Sequence, residues 1–86
     1  MKFHGALVKA QGIIFGIIIV KPWVLNNGAS SNKCRTFGRK VFGPIPLILM
    51  APDSHGVPTY SGRRDIVRFL VRLPIQAIPW REYTLN

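Results

Sequence analysis

Four arginines in the C-terminal third of the chain are the residues whose type and spacing most favour binding of an anion. Arg64, Arg68 and Arg72 recur every four residues, which places them on one face of a helix. Arg63 stands beside the first of them, directly after Gly62. The free amides of a first helical turn, together with guanidinium groups, can hold a phosphate or a carboxylate. Solvated arginines on an exposed helix face are the alternative, because the chain contains no GxxxxGK or GxGxxG loop.

A second group of cations lies earlier in the chain and consists of Lys33, Arg35, Arg39 and Lys40. If both helices lie on the same side of a sheet, the two groups form one continuous basic face. Such a face binds phosphates without reading bases, and its affinity falls steeply with salt. The net charge of +9 also favours a nucleic acid, an anionic membrane or an acidic protein as partner. The aromatic residues fall on core stripes, so charge alone supports nucleic acid.

Residues of catalytic and metal-binding type are few and scattered. Asp53-Ser54-His55 contains the three residue types of a hydrolase triad. Side chains adjacent in sequence diverge, however, so we interpret this segment as a turn in which Asp53 accepts hydrogen bonds from nearby amides. His4, His55, Cys34 and Asp53 do not pair at the spacings of zinc sites. We therefore expect no catalytic residue, no metal and no cofactor, and we do not expect an enzyme.

The single cysteine, Cys34, excludes an internal disulfide and fits a reducing cytoplasm. Lys33 and Arg35 flank it and would stabilise a thiolate. Its helical stripe with Phe37 and Val41 favours instead the role of a small buried hydrophobic side chain. The apolar runs at 10–20 and 41–51 are too short to span a bilayer, and no small-x-small cleavage site follows the first. We therefore predict a cytoplasmic protein without a transmembrane segment.

Five elements are predicted to position these side chains. The run at 13–20 is almost entirely β-branched or apolar and lacks alternation, which predicts a central strand covered on both faces. Asn26, Asn27 and Ser30 offer helix caps. The elements that follow are a helix ending at Gly43, a strand over 46–50, a return strand over 57–60 and an amphipathic helix over about 63–73. Pro58 places the return strand at a sheet edge, where its missing amide is not needed.

The order β-α-β-β-α predicts one small α/β (α+β) domain over residues 1–86, with a three-stranded mixed sheet and two helices. We expect an ordered core over about residues 11–73 and a C-terminal extension over 74–86 packed by Trp80. A domain of this size buries only about 60% of the surface that its unfolded chain exposes. A partner or self-association is therefore expected to matter.

Several residues of the second half resemble the C-terminal half of the thioredoxin fold. They are Gly43-Pro44-Ile45-Pro46 before a strand, the hairpin turn at 53–56, and Gly62 before an amphipathic helix. In that family an Ile-Pro step in cis opens the strand. The motifs match over about residues 43–73 and imply a fold only. One cysteine cannot form the redox pair, so a disulfide oxidoreductase is excluded. Residues 20–23 and 58–63 also resemble small bacterial proteins of unassigned function, which implies no site residue.

The sequence thus favours a non-enzymatic interaction module that binds a protein partner or a second copy of itself. The expected surface is the edge strand, Val57, Pro58, Thr59 and Tyr60, or the surroundings of Trp23 and Trp80. The alternative is a nucleic-acid-binding accessory protein that uses the basic helix face. A small-molecule or enzymatic role at Gly62 to Arg64 is the third hypothesis. The salt dependence of binding distinguishes the first two hypotheses. Binding by strand pairing tolerates salt, whereas binding by neutralisation of phosphates weakens as salt rises.

Overall fold

Two hairpins joined through a parallel pair build one mixed sheet in this computed structural model, which describes residues 2–84. The elements in chain order are β1 (Lys2–Ala10), β2 (Ile13–Ile19), α1 (Pro22–Leu25), α2 (Gly28–Phe42), β3 (Leu47–Pro52), β4 (Pro58–Ser61), α3 (Arg64–Arg72), a 3-10 turn (Ile75–Ala77) and β5 (Arg81–Thr84). The sheet order is β4-β3-β2-β1-β5, and only β2 and β3 run parallel. The protein is therefore a small α+β domain.

The prediction of a three-stranded sheet and two helices was wrong in both counts, because residues 2–84 form a five-stranded sheet and three α-helices. The strand that sequence analysis missed is β1, which pairs with β2 through a two-residue turn, Gln11 and Gly12. Both turn residues have positive φ, 54° and 75°. That turn type usually carries Asn or Asp before the glycine, so Gln11 concealed the hairpin signal. β5 in turn pairs with the outer edge of β1. Both strands lie outside residues 11–73, which the sequence predicted as the ordered core.

The other predicted elements are confirmed. β2 lies at the centre of the sheet, and β4 lies at its edge. The Asn27 side chain accepts a hydrogen bond from Ser30 N (3.0 Å) and caps α2, which ends where Gly43 adopts a φ of 88°. The thioredoxin-like topology is not confirmed. Residues 2–84 contain no cis peptide bond, so the Ile45–Pro46 bond is trans.

The two long helices cover opposite faces of the sheet. Ile66 and Leu70 of α3 pack on one face, against a core formed with Ala6, Phe15, Ile17, Ile48, Met50 and Ile78. Ile18 and Leu49, whose side chains point the other way, pack with Val24 of α1 and with Cys34 and Phe42 of α2. Burial of each large side chain contributes about 1.5–3 kcal/mol to folding, so both helices are fixed by their apolar stripes.

Strand glycines allow aromatic rings to lie on the α2 face of the sheet. The rings form a cluster with centroid separations of 4.9 to 6.1 Å, made by Phe3, Phe37, Phe42 and Tyr83. A Cβ at Gly16 would lie 2.9 Å from the Phe42 ring. A Cβ at Gly5 would lie 3.2 Å from the Phe3 ring. The cluster therefore fastens β5 and the C-terminal end of α2 to the hairpin of β1 and β2.

Candidate nucleic-acid interface

The predicted arginine row lies on the outer face of α3. Ile66 and Leu70 point into the core, which leaves Arg64, Arg68 and Arg72 exposed. A rise of 1.5 Å per residue places neighbouring arginines of this row about 6 Å apart and spreads the three Cα atoms over about 12 Å. The row, defined by these three residues, can therefore contact several phosphates of one polyanion at the same time.

Each acidic side chain contacts a group outside the arginine row. Asp65 accepts from Arg63, with 2.9 Å between Oδ1 and Nε. Glu82 lies 3.8 Å from Lys2 Nζ and 3.9 Å from His4 Nε2. Asp53 accepts from main-chain amides of its own turn. Within residues 2–84 the arginine row consequently has no acidic partner, whereas Arg63, the fourth predicted residue, is paired with Asp65.

Two shallow depressions border α3 on either side of Arg68. One has a volume of about 360 Å³ and includes Gln11, Arg72 and the carboxylate side chain of Asp65 in its lining. The other, of about 350 Å³, includes Tyr60 and Arg64. No sequence pattern points to Gln11, because this residue reaches α3 from the turn between β1 and β2, which has no recognisable hairpin signal. The depressions give the row a concave border on both sides.

The predicted continuous basic face is not formed. It required both helices on the same side of the sheet, but α2 and α3 cover opposite faces. Arg35 is also drawn away from solvent, since its Nη2 donates to both the carbonyl oxygen and Oγ of Ser61, each at 3.3 Å. The structure leaves Lys33, Arg39 and Lys40 as a separate basic patch on the α2 side. The sequence could not reveal this, because no local signal encodes the face onto which a crossover helix packs.

The predicted interaction strand, Val57, Pro58, Thr59 and Tyr60, includes three residues of β4 and the residue before it. The N–H of Asp53 donates to the carbonyl oxygen of Val57 (2.8 Å), and hydrogen-bonded pairs alternate along an antiparallel ladder. The main-chain groups of Pro58 and Tyr60 therefore face away from the sheet. Since proline has no N–H, Tyr60 supplies the one outward donor of these four residues. The edge can accept a strand only over a short length.

The Tyr60 hydroxyl is buried and has no hydrogen-bond partner within the part of the chain that the structure describes. Burial raises the pKa of Tyr60 above its ordinary value of 10.0. The folded protein thus holds this proton more tightly than the unfolded chain does. The contribution of Tyr60 to stability is complete below about pH 10 and is lost as the pH rises through the folded-state pKa.

We therefore expect Tyr60→Phe to leave the free energy of unfolding at pH 7 unchanged or higher, because it removes an unsatisfied hydroxyl. We also expect the variant to lose less stability than the native protein between pH 9 and pH 11. Urea unfolding of both proteins at these pH values measures the difference. The two chains share every other titratable group, so equal losses would contradict the assignment.

Asp53, Cys34 and Trp80 have structural roles, whereas Trp23 is exposed. Asp53 Oδ1 accepts from the N–H groups of His55 (2.8 Å) and Val57 (2.9 Å), which confirms the interpretation of this segment as a turn. Cys34 is half-buried and packs on the core of the α2 face. Trp23 is 58% exposed, whereas Trp80 is half-buried and its Nε1 donates to Ile75 O (3.0 Å). Of the two tryptophans only Trp23 offers a surface to a partner.

Residues 2–84 contain no group of three His, Cys, Asp or Glu side chains arranged to hold a metal ion. The helices in this range are also too short or too polar to cross a membrane. In comparisons with known proteins, no protein-family model, curated protein or solved structure matches this chain.

Proposed function

We propose that this protein is a non-enzymatic binding module that holds the phosphate backbone of a nucleic acid against the arginine row. The observation that carries the proposal is the row itself: three exposed guanidinium groups spread over about 12 Å of one helix, without an acidic partner among residues 2–84. Guanidinium groups match phosphates in geometry and charge. We also propose that the protein is cytoplasmic.

The charge of the whole molecule supports this function. Twelve lysines and arginines stand against three acids, and each acid already contacts a residue of this chain. The field around the protein is therefore positive and raises the rate at which a polyanion arrives. Residues other than the arginine row add to this long-range attraction without needing a defined contact.

The arrangement favours binding that is independent of base sequence. The aromatic cluster that could stack on bases packs on the α2 face, opposite the arginine row. Arginines on a helix surface that lacks such a platform contact phosphates, which are the same in every sequence. Three phosphate contacts correspond to a slope of log K against log salt of about −2.7 for duplex DNA and about −2.1 for a single strand.

Fluorescence anisotropy of a labelled 20-base-pair duplex and a labelled 20-nucleotide single strand tests the proposal. We expect the affinity for the duplex to fall by a factor of roughly 40 or more when the salt concentration rises from 50 to 200 mM. Duplexes of different base composition should bind within a factor of about two. Absence of binding at 50 mM, or an affinity that does not change with salt, would overturn the proposal.

A protein partner or a second copy is the second candidate, and one observation favours it. Leu7 and Ile14 are each 47% exposed, although they lie on neighbouring strands of the α2 face. Apolar side chains this close together on a surface commonly mark a protein contact. Sedimentation velocity at 50 and 500 mM salt tests self-association. An apolar contact between copies should strengthen as salt screens their like charge, which is opposite to the behaviour expected with nucleic acid.

A further inference from the structure

A cleft of about 320 Å³ lies between the N-terminal half of α2 and the ends of β1 and β2. It is lined by Phe3, Ile18, Ile19, Val20, Lys33, Cys34 and Phe37. The rings of Phe3 and Phe37 meet edge to face at 5.2 Å and form one wall. The buried side chain of Ile18 forms the floor. The cleft lies on the face of the sheet opposite the arginine row, so it is a separate feature of the molecule.

The chemistry of the lining restricts what the cleft can bind. The side chains are hydrocarbon or aromatic except for the Cys34 thiol and the Lys33 ammonium group. Neither group makes a side-chain hydrogen bond or ion pair to another of residues 2–84. A polar or doubly charged ligand would lose its hydration without compensation in such a lining. An apolar ligand with a single negative charge would instead bury its hydrocarbon part in the cleft and place its charge beside Lys33.

We propose that this cleft binds an apolar monocarboxylate, an alkyl or aryl carboxylic acid in its anionic form. The hydrocarbon part lies against Ile18, Phe3 and Phe37, and the carboxylate accepts from Lys33 Nζ. The volume sits at the lower end of the range for small-molecule sites, which suits a short chain. Charge complementarity selects the carboxylate, because the cleft has a cation in its lining and no acid.

Cys34 provides a reporter inside the cleft. Sodium octanoate, used below the concentration at which it forms micelles, is the probe, and 1-octanol is the uncharged ligand of equal chain length. We expect octanoate at millimolar concentration to slow the alkylation of Cys34 by iodoacetamide severalfold. We also expect it to shift the methyl NMR signals of Ile18, Ile19 and Val20. Iodoacetamide is uncharged, so the charge of the probe does not alter delivery of the reagent.

Two variants with the same change in charge on the same helix locate the carboxylate. Lys33→Gln should weaken octanoate binding roughly threefold to fivefold, to the level of octanol, because it removes one partly exposed ion pair. Lys40→Gln is the control, since Lys40 does not line the cleft, and it should bind octanoate as the native protein does. Each protein is compared with itself in the presence and absence of probe, which cancels any change in the reactivity of the thiol.

Three results would overturn the proposal. Octanoate could leave both the alkylation rate and the methyl signals unchanged. Octanol and octanoate could bind equally well to the native protein, which would remove the role of Lys33. Lys40→Gln could weaken octanoate as much as Lys33→Gln, which would indicate attraction by the general positive field. None of these results depends on whether the arginine row binds nucleic acid.

Discussion

The triple variant R64Q/R68Q/R72Q is expected to bind the 20-base-pair duplex roughly a hundredfold more weakly than the native protein at 50 mM salt. Each guanidinium–phosphate contact contributes about 1 kcal/mol, which is at the upper end for exposed ion pairs. The salt dependence should change as well, because three fewer phosphates are neutralised. We expect the slope of log K against log salt to become less negative by about 2.7.

The matched control is the triple variant K9Q/K33Q/K40Q, which removes the same charge from the other side of the sheet. It should lose only the part of the affinity that arises from the overall field. Glutamine and arginine have similar helix propensities, so α3 should remain helical in the first variant. Circular dichroism checks this point. If both triple variants lost equal affinity, the arginine row would not be the interface.

Gly5→Ala is expected to lower the free energy of unfolding by roughly 2–3 kcal/mol, which is the effect of overpacking a site that cannot relax. Gly5 lies in β1 directly opposite Ile18, and a Cβ at this position collides with the main-chain oxygen of Ile17. That oxygen belongs to the central strand, which pairs on both sides and cannot move away. The loss is large for a domain of this size, whose total stability is commonly only several kcal/mol.

Gly28→Ala is the matched control for this substitution. Gly28 begins α2, and a Cβ there meets no atom within 4 Å. We expect this variant to be unchanged or more stable by about 0.4–1 kcal/mol, because alanine restricts the unfolded chain. Urea unfolding of the two variants and the native protein provides the comparison. A Gly5→Ala variant as stable as Gly28→Ala would show that β1 does not approach β2 as described.

Those parts of the fold that depend on local patterns could be predicted from the sequence. The stripe of Ile66 and Leu70 and the arginines on its other side defined α3 within a residue or two. Asn27 and Gly43 marked the ends of α2 through capping chemistry. Pro58 correctly placed its strand at an edge, because an interior strand needs the amide that proline lacks.

The features that depend on long-range packing could not be predicted. Nothing near α2 indicates that it packs on the face opposite α3, and that placement divides the basic residues into two groups. The hydrogen bond from Arg35 to Ser61 joins residues 26 positions apart. No local pattern predicts such a bond, so the sequence indicated that Arg35 was a free cation. The cleft at Cys34 likewise requires three elements to meet, and the sequence showed only a cysteine between two cations.

The division of the cations between two sides has a consequence for stoichiometry. The molecule measures 32 × 31 × 22 Å. Its shortest dimension is little more than the combined thickness of a helix, the sheet and a second helix. The body is flat, with the arginine row on one side and Lys33, Arg39 and Lys40 on the other, so a polyanion bound at the row leaves the opposite side positively charged. That charge attracts a second polyanion through the general field, so one molecule can bridge two strands at low salt. Cross-linked networks should then form near equal charge and dissolve when either component is in excess.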